Sequence, residues 1–142
     1  MPSINEISWK TLPSVQDLRG VLTSIESDID IPFEIKRIFY IHHAELDRGG
    51  HAHIDTDQIV IAISGSFQIE LYDGVNEVTF NMDDPTKGLY IPRMIFIKLL
   101  NFSSDAVCVV LANTHYEIKK SIRNIDDYNN VLYTDRYDKF RY

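Results

Sequence analysis

Two histidines one residue apart, His51 and His53, close the run Arg48-Gly49-Gly50-His51-Ala52-His53, and the chain continues through Gln58-Ile59-Val60-Ile61-Ala62-Ile63 to Gly65. Successive side chains of a strand point to opposite faces, so both imidazoles project onto one face and the small Ala52 onto the other. Imidazole titrates near neutral pH and moves a proton in either direction. Two of them on one face suit chemistry at a single substrate edge: a base removes a proton, donors hold the developing charge, and an acid returns a proton. Arg19, Arg37, Arg48 and Tyr40 are the candidate donors, and Arg93 is a further substrate-binding candidate. A lone histidine in a β protein is more often structural, but a pair beside Arg-Gly-Gly favours a site. Strand alternation puts Arg37 and Tyr40 on opposite faces unless a bulge intervenes. His42, His43 and His115 lack sequence partners and read as solvated loop residues.

The elements that must position these residues are short strands. The stretch from Arg48 to Gly65 reads as one strand with its chemistry at one end, covered on both faces where it is β-branched. Ile7 to Leu12, Val21 to Glu26, Ile35 to Ile41, Gly88 to Pro92, Ile95 to Leu100 and Ala106 to Ala112 are further strands. Ser66 to Tyr72 and Val75 to Asn81 flank Asp73-Gly74, the signature of a two-residue hairpin. Only Asn124 to Tyr133 has helical spacing, through Ile125, Tyr128, Val131 and Leu132, and the closing Thr134 to Tyr142 reads as frayed or wrapped on a partner. Nine or ten short strands at regular spacing predict an all-β sandwich or barrel that closes its edges around a ligand-sized lumen.

Length and charge narrow the class. With 142 residues, the chain fits a single domain, residues 1–142, with one sizeable core. Its 21 acidic against 14 basic side chains leave a formal charge of -7, which repels phosphate backbones and argues against nucleic acid as a partner. A few arginines clustered in a cleft still override that mean locally for a small anion. No run approaches the roughly 18 apolar residues of a membrane span, and the N-terminus lacks a basic start and apolar block, so the expected location is the cytoplasm, with no membrane partner. The single cysteine, Cys108, lies between Val107 and Val109 and reads as a small buried hydrophobe.

The motif spacing resembles the cupins, whose first motif is H-x-H, three or four residues, Glu, six residues and Gly; here His51-x-His53 is followed by Gln58 and Gly65. Against the second cupin motif the chain places Pro92, Met94, Ile97 and Asn101. Metal-binding cupins use three histidines and the glutamate, and Gln58 and Ile97 occupy two of those four positions, so no metal and no other cofactor is expected.

A closer resemblance covers nearly the whole chain. Asp17-x-Arg19-Gly20-x-Leu22, Ile31-Pro32-Phe33-Glu34-Ile35-Lys36-Arg37-Ile38-Phe39-Tyr40, Arg48 to His53, Gly88-Leu89-Tyr90-Ile91-Pro92 and Asn101-Phe102-Ser103-Ser104-Asp105 together resemble the sugar 3,4-ketoisomerases of nucleotide-deoxysugar biosynthesis. The resemblance implies a cupin-type double-stranded β-helix, or jelly-roll barrel, with a short C-terminal helix. It also implies a metal-free homodimer that converts dTDP-4-keto-6-deoxyglucose to its 3-keto isomer, upstream of a 3-amino sugar for surface polysaccharide such as lipopolysaccharide O-antigen or S-layer glycan. It makes His51 and His53 the catalytic pair, His51 as the base, with Arg48, Arg37 and Tyr40 contacting substrate or oxyanion. The second motif departs from the family in carrying Ile97 where a polar group is usual. Two rival readings follow from that departure: a nucleotide-sugar-binding cupin without catalysis, and a 3,5-epimerase-like cupin.

Overall fold

The computed structural model describes residues 1–139, with side chains through residue 134. In chain order the strands are β1 (Ser8–Thr11), β2 (Ser14–Asp17), β3 (Gly20–Thr23), β4 (Arg37–His42), β5 (Arg48–His53), β6 (Gln58–Ser64), β7 (Phe67–Tyr72), β8 (Glu77–Met82), β9 (Lys87–Ile91), β10 (Phe96–Leu100), β11 (Val107–Ala112) and β12 (Ser121–Ile122), and the one α-helix among the described residues is α1 (Ile125–Lys139). Two antiparallel five-stranded sheets, β1-β9-β6-β11-β4 and β12-β5-β10-β7-β8, pack against each other, and β2-β3 stands apart as a hairpin. Among the described residues the expected nine or ten strands are twelve. The additions are β2, whose pairing with β3 a sequence of exposed residues does not announce, the two-residue β12, and the division of Arg48 to Gly65 into β5 and β6.

The core between the sheets follows from alternation. Val60, Ala62, Phe67, Ile69, Leu71, Leu89, Ile97, Leu99, Cys108 and Val110 form its buried centre. Cys108 is fully buried, and burial pushes its thiol up to about 12, so it packs as a hydrophobe. The alternate residues of the first sheet, Ile59, Ile61 and Leu111, face outward and are covered by Leu12, Ile31 and Phe33 from the N-terminal segment. This is why the β6 sequence is apolar on both faces.

The second sheet is covered by α1. Asn124 caps that helix: its side chain accepts from the Asp127 amide (2.8 Å) and donates to the Asp127 carboxylate (2.8 Å), while Asp126 and Asp127 place negative charge at the helix start. Tyr128 and Leu132 pack on Ala52, Phe96 and Ile122, and the Tyr128 hydroxyl donates to the carbonyls of Tyr72 and Met94 at 3.1 and 2.6 Å. The helix extends past the expected Tyr133 to Lys139, so residues 134–139 are not frayed, and residues 140–142 lie outside the described residues.

Two local expectations are corrected. Arg48 to Gly65 is not one strand: β5 and β6 belong to opposite sheets, joined by a turn at residues 54–57. Polar residues Asp55-Thr56-Asp57 break the alternation there. Thr56 shares a 2.6 Å hydroxyl contact with Thr114, and Asp57 accepts from Asn113 at 3.0 Å, which pins the turn to the end of β11. The Asp73-Gly74 hairpin is a four-residue loop instead, with Tyr72 opposite Glu77. Asp73 accepts from the amides of Val75 and Asn76 at 2.9 and 2.7 Å and from Ile4 at 2.8 Å, which widens the turn. The resulting slide is by two residues, so each side chain keeps its expected face.

Candidate active site

His51 and His53 lie on β5 with their rings 4.9 Å apart, nearly perpendicular, and both line a pocket of about 790 Å³ between the two sheets. Ala52 between them is fully buried and faces α1. Gly50 shares that outward side: a Cβ there would collide with the Phe96 ring. Small residues at 50 and 52 therefore let the strand sit close under its outer layer while the histidines take the lumen. The pocket volume falls within the roughly 300–1,000 Å³ of small-molecule sites.

The opposite wall is the first sheet. Arg37, Phe39 and Ile41 of β4, Val110 of β11, and Gln58 and Val60 of β6 face the histidines, while Ile97 and Leu99 of β10 floor the pocket beside them. Arg37 is held between aromatic faces, its guanidinium 5.2 Å from the Phe39 ring centre and 5.4 Å from that of Tyr116. Arg48 and Arg123 complete a set of three arginines, against a single carboxylate, Asp47, among the lining residues. In a chain of charge -7 this is a local inversion suited to an anionic ligand.

Three buried polar atoms among the described residues lack a hydrogen-bond partner: Arg37 Nε, His53 Nε2 and Gln58 Nε2. All three belong to residues of this pocket. Leaving such a group unpaired costs about 1–3 kcal/mol, so three in one cavity mark a place for water or a polar ligand.

Burial lowers the pKa of both histidines. For His51, burial leads, hydrogen bonding to the Gly49 backbone opposes it, and Arg123 and Arg48 reinforce it. For His53, burial, His51 and Arg37 bring the value down to about 4, with Asp55 opposing. Ser121, paired with His53 across β12-β5, places its hydroxyl 3.4 Å from His53 Nδ1. Both rings are therefore neutral in the free protein near pH 7, the form a base requires.

The expected residues divide. His51, His53, Arg37 and Arg48 come together, and Tyr40 borders the same pocket. The Tyr40 side chain is 65% exposed beside His42, on the outer face that strand alternation assigns it. Arg19 does not reach the pocket of its own chain: it sits on the β2-β3 turn and pairs with Asp17 at 2.5 Å. Nor does Arg93, which is bound in two-pronged fashion to Asp57 (3.2 and 3.0 Å) and so latches the turn after β5. His43, His42 and His115 are exposed, though His42 ends β4 and its Nδ1 lies 2.6 Å from that of His43. Sequence reasoning missed Tyr116, Ser121 and Arg123, which arrive from an aperiodic segment with no pattern to flag them. For Gln58 a signal existed: a polar residue at the head of a strand that is otherwise apolar on both faces.

Among the described residues no group of three or more His, Cys, Asp or Glu is arranged to hold a metal ion. The donor set is also short, since stable divalent sites normally take three or four protein ligands of suitable type and, of the four cupin ligand positions, only those of His51 and His53 hold one here.

Residues 5–133 match the family model described as FdtA: WxcM-like, C-terminal. The chain is 38% identical over 120 residues to TDP-4-oxo-6-deoxy-alpha-D-glucose-3,4-oxoisomerase of Aneurinibacillus thermoaerophilus, covering 82% of this chain and 85% of that protein. Its fold superposes on QdtA, a sugar 3,4-ketoisomerase from Thermoanaerobacterium thermosaccharolyticum in complex with TDP, with a TM-score of 0.90 and 32% identity over 94% of this chain and 98% of that one. It is similar also to WlaRB, a TDP-quinovose 3,4-ketoisomerase of Campylobacter jejuni, at TM-score 0.85 and 36% identity over 89% and 99% of the two chains.

Proposed function

The chain belongs to the FdtA family, and we propose on that premise that it is an isomerase moving the keto group of TDP-4-keto-6-deoxyglucose from C4 to C3. The fold is the cupin-type jelly roll. The observation that carries the reading is the paired histidines on one wall of a pocket whose other wall presents unpartnered donors. The two rival readings, a binding-only cupin and a 3,5-epimerase-like cupin, do not fit relatives that are themselves 3,4-isomerases.

His51 acts as the base at C3, and His53, neutral and facing the same lumen, relays the hydroxyl proton and helps return a proton at C4. Arg37 faces the charge that develops on the sugar oxygens, and Arg48 with Arg123 holds the diphosphate nearer the mouth. No step uses a metal or organic cofactor. The 3-keto product has the carbonyl an aminotransferase needs, which supports a role ahead of a 3-amino-3,6-dideoxyhexose for surface polysaccharide. Residues 1–142 act as one domain, and the reaction runs in the cytoplasm. No described helix is long and apolar enough to cross a membrane.

The working form is a homodimer. The N-terminal pieces around Ile7 and Trp9 are engaged within their own chain, Trp9 pairing with Leu89 and Ile7 packing on the core. The β2-β3 hairpin instead exposes Val15, Leu18, Val21 and Leu22, and β4 is an open sheet edge exposing Ile38 and Tyr40. Docking that hairpin along a partner's edge would cover both apolar sets. A single monomeric mass in light scattering at working concentration rules this out.

The test of the activity is incubation with TDP-4-keto-6-deoxyglucose in deuterated buffer, followed by proton NMR. Isomerisation places deuterium at C4 of a 3-keto product. Label at C3 and C5 without keto migration identifies an epimerase, and the absence of both label and a 3-keto product identifies a binder.

A further inference from the structure

Gln58 is 3% exposed, and its Nε2 is one of the unpartnered buried atoms. Ile59 to Ile63 after it are apolar, so nothing in the packing of β6 calls for an amide at this position. Strand register states where it points. Ala112 of β11 is opposite Gln58 on one side and opposite Arg37 on the other, and directly paired residues share a face. Gln58, Ala112 and Arg37 therefore form one row across the lumen wall, with backbones two strand spacings apart, roughly 10 Å. Ala112 is fully buried and carries only a methyl group, so the space between the longer side chains stays open. Both unpartnered nitrogens in this row, Gln58 Nε2 and Arg37 Nε, are donors only. The imidazoles stand on the facing sheet.

This inference rests on the isomerase reading. In that reaction the C3 proton passes to a histidine, the C3–H electron pair becomes the C3=C4 bond, and the C4 carbonyl pair moves onto O4. The O3 hydroxyl proton moves to O4, the carbonyl re-forms at C3, and the histidine-held proton goes to C4, so every atom is conserved. Negative charge is shared by O3 and O4 between those events. We propose that Gln58 is a catalytic residue whose Nε2–H donates to these enediolate oxygens, with Arg37 as the second donor. An amide serves at this position where a carboxylate, without a metal, would repel the same charge. Donors aimed at a developing oxyanion typically contribute ~10²–10³ in rate.

The test uses the full chain with Gln58→Met, which keeps length and loses the N–H, and Gln58→Glu, which keeps shape and replaces the donor by an acceptor. Turnover and deuterium exchange with TDP-4-keto-6-deoxyglucose are read beside calorimetric affinity for TDP, which lacks the sugar oxygens. The expected result is a loss of kcat of ~10² in Gln58→Met and at least as much in Gln58→Glu, with TDP affinity within about twofold of the parent. Turnover by either variant within threefold of the parent overturns the assignment of Gln58 alone. An equal loss of TDP affinity and turnover also overturns it, because that marks a structural role. Where Gln58→Met does not fold, Gln58→Glu decides by the same criteria. A parent protein that neither isomerises nor exchanges the sugar overturns the isomerase reading, and this one with it.

Discussion

Ile97 pairs directly with His51 across β10-β5, so a branched hydrocarbon, 5% exposed, stands beside the first histidine. It also packs in the core between the sheets. Its contribution is shape and dryness, which helps keep the neighbouring imidazoles neutral. Ile97→Val should accordingly cost about 0.5–1.5 kcal/mol of stability in a denaturant titration while leaving kcat within a few-fold of the parent. A hundredfold fall in kcat with unchanged stability would show that the side chain acts on the chemistry.

The two histidines should not behave alike when substituted. His51→Asn is expected to lower kcat by ~10²–10⁴ with TDP affinity largely retained, because it removes the base. His53→Asn should slow return of the proton more than its removal, so exchange at C3 survives better than net isomerisation. Time-resolved deuterium incorporation with each variant measures this. If both variants weaken TDP binding and neither slows exchange, the pair is a recognition element.

The lowered histidine pKa values set two pH dependences. The acid limb of kcat/KM should fall below pH 6.5, because the rings in the free enzyme resist protonation until their own depressed values are reached, about 4 for His53. Stability has the matching sign: a histidine whose folded pKa is depressed takes up protons first in the unfolded chain. Stability is therefore full above about 6.5 and declines as pH falls towards about 4. Melting temperatures of parent and His53→Asn across that window should converge at the acid end.

Arg93 should matter to stability more than to turnover. Its ion pair with Asp57 is half exposed at the arginine end, and it lines a different pocket from the histidines. Arg93→Ala is expected to cost about 1 kcal/mol with KM little changed. A tenfold rise in KM would put it back among the substrate contacts.

Dialysis against a chelator should leave isomerisation intact, since Gln58 and Ile97 stand where metal-binding cupins carry ligands. Loss of activity restored by one divalent ion would overturn that expectation.

Sequence alone determined what depends on local alternation. The shared face of His51 and His53, the outward turn of Ala52, the opposite faces of Arg37 and Tyr40, the burial of Cys108 and the helical spacing through Tyr128 and Leu132 follow from periods of two and 3.6, which the backbone imposes residue by residue. Family-like motifs supplied the jelly roll and the class of reaction. Tertiary structure decided everything that depends on which strands become neighbours. The split of Arg48 to Gly65 into two strands on opposite sheets turned Gln58 from a vacant metal position beside the histidines into a donor facing them. Pairing of β11 with both β6 and β4 set Gln58 and Arg37 in one row. The aperiodic segment after β11 brought Tyr116, Ser121 and Arg123 to the pocket, while hydrogen bonds to Asp57 took Arg93 away from it. These placements rest on long-range register and side-chain pairing, and neither leaves a periodic trace in the chain.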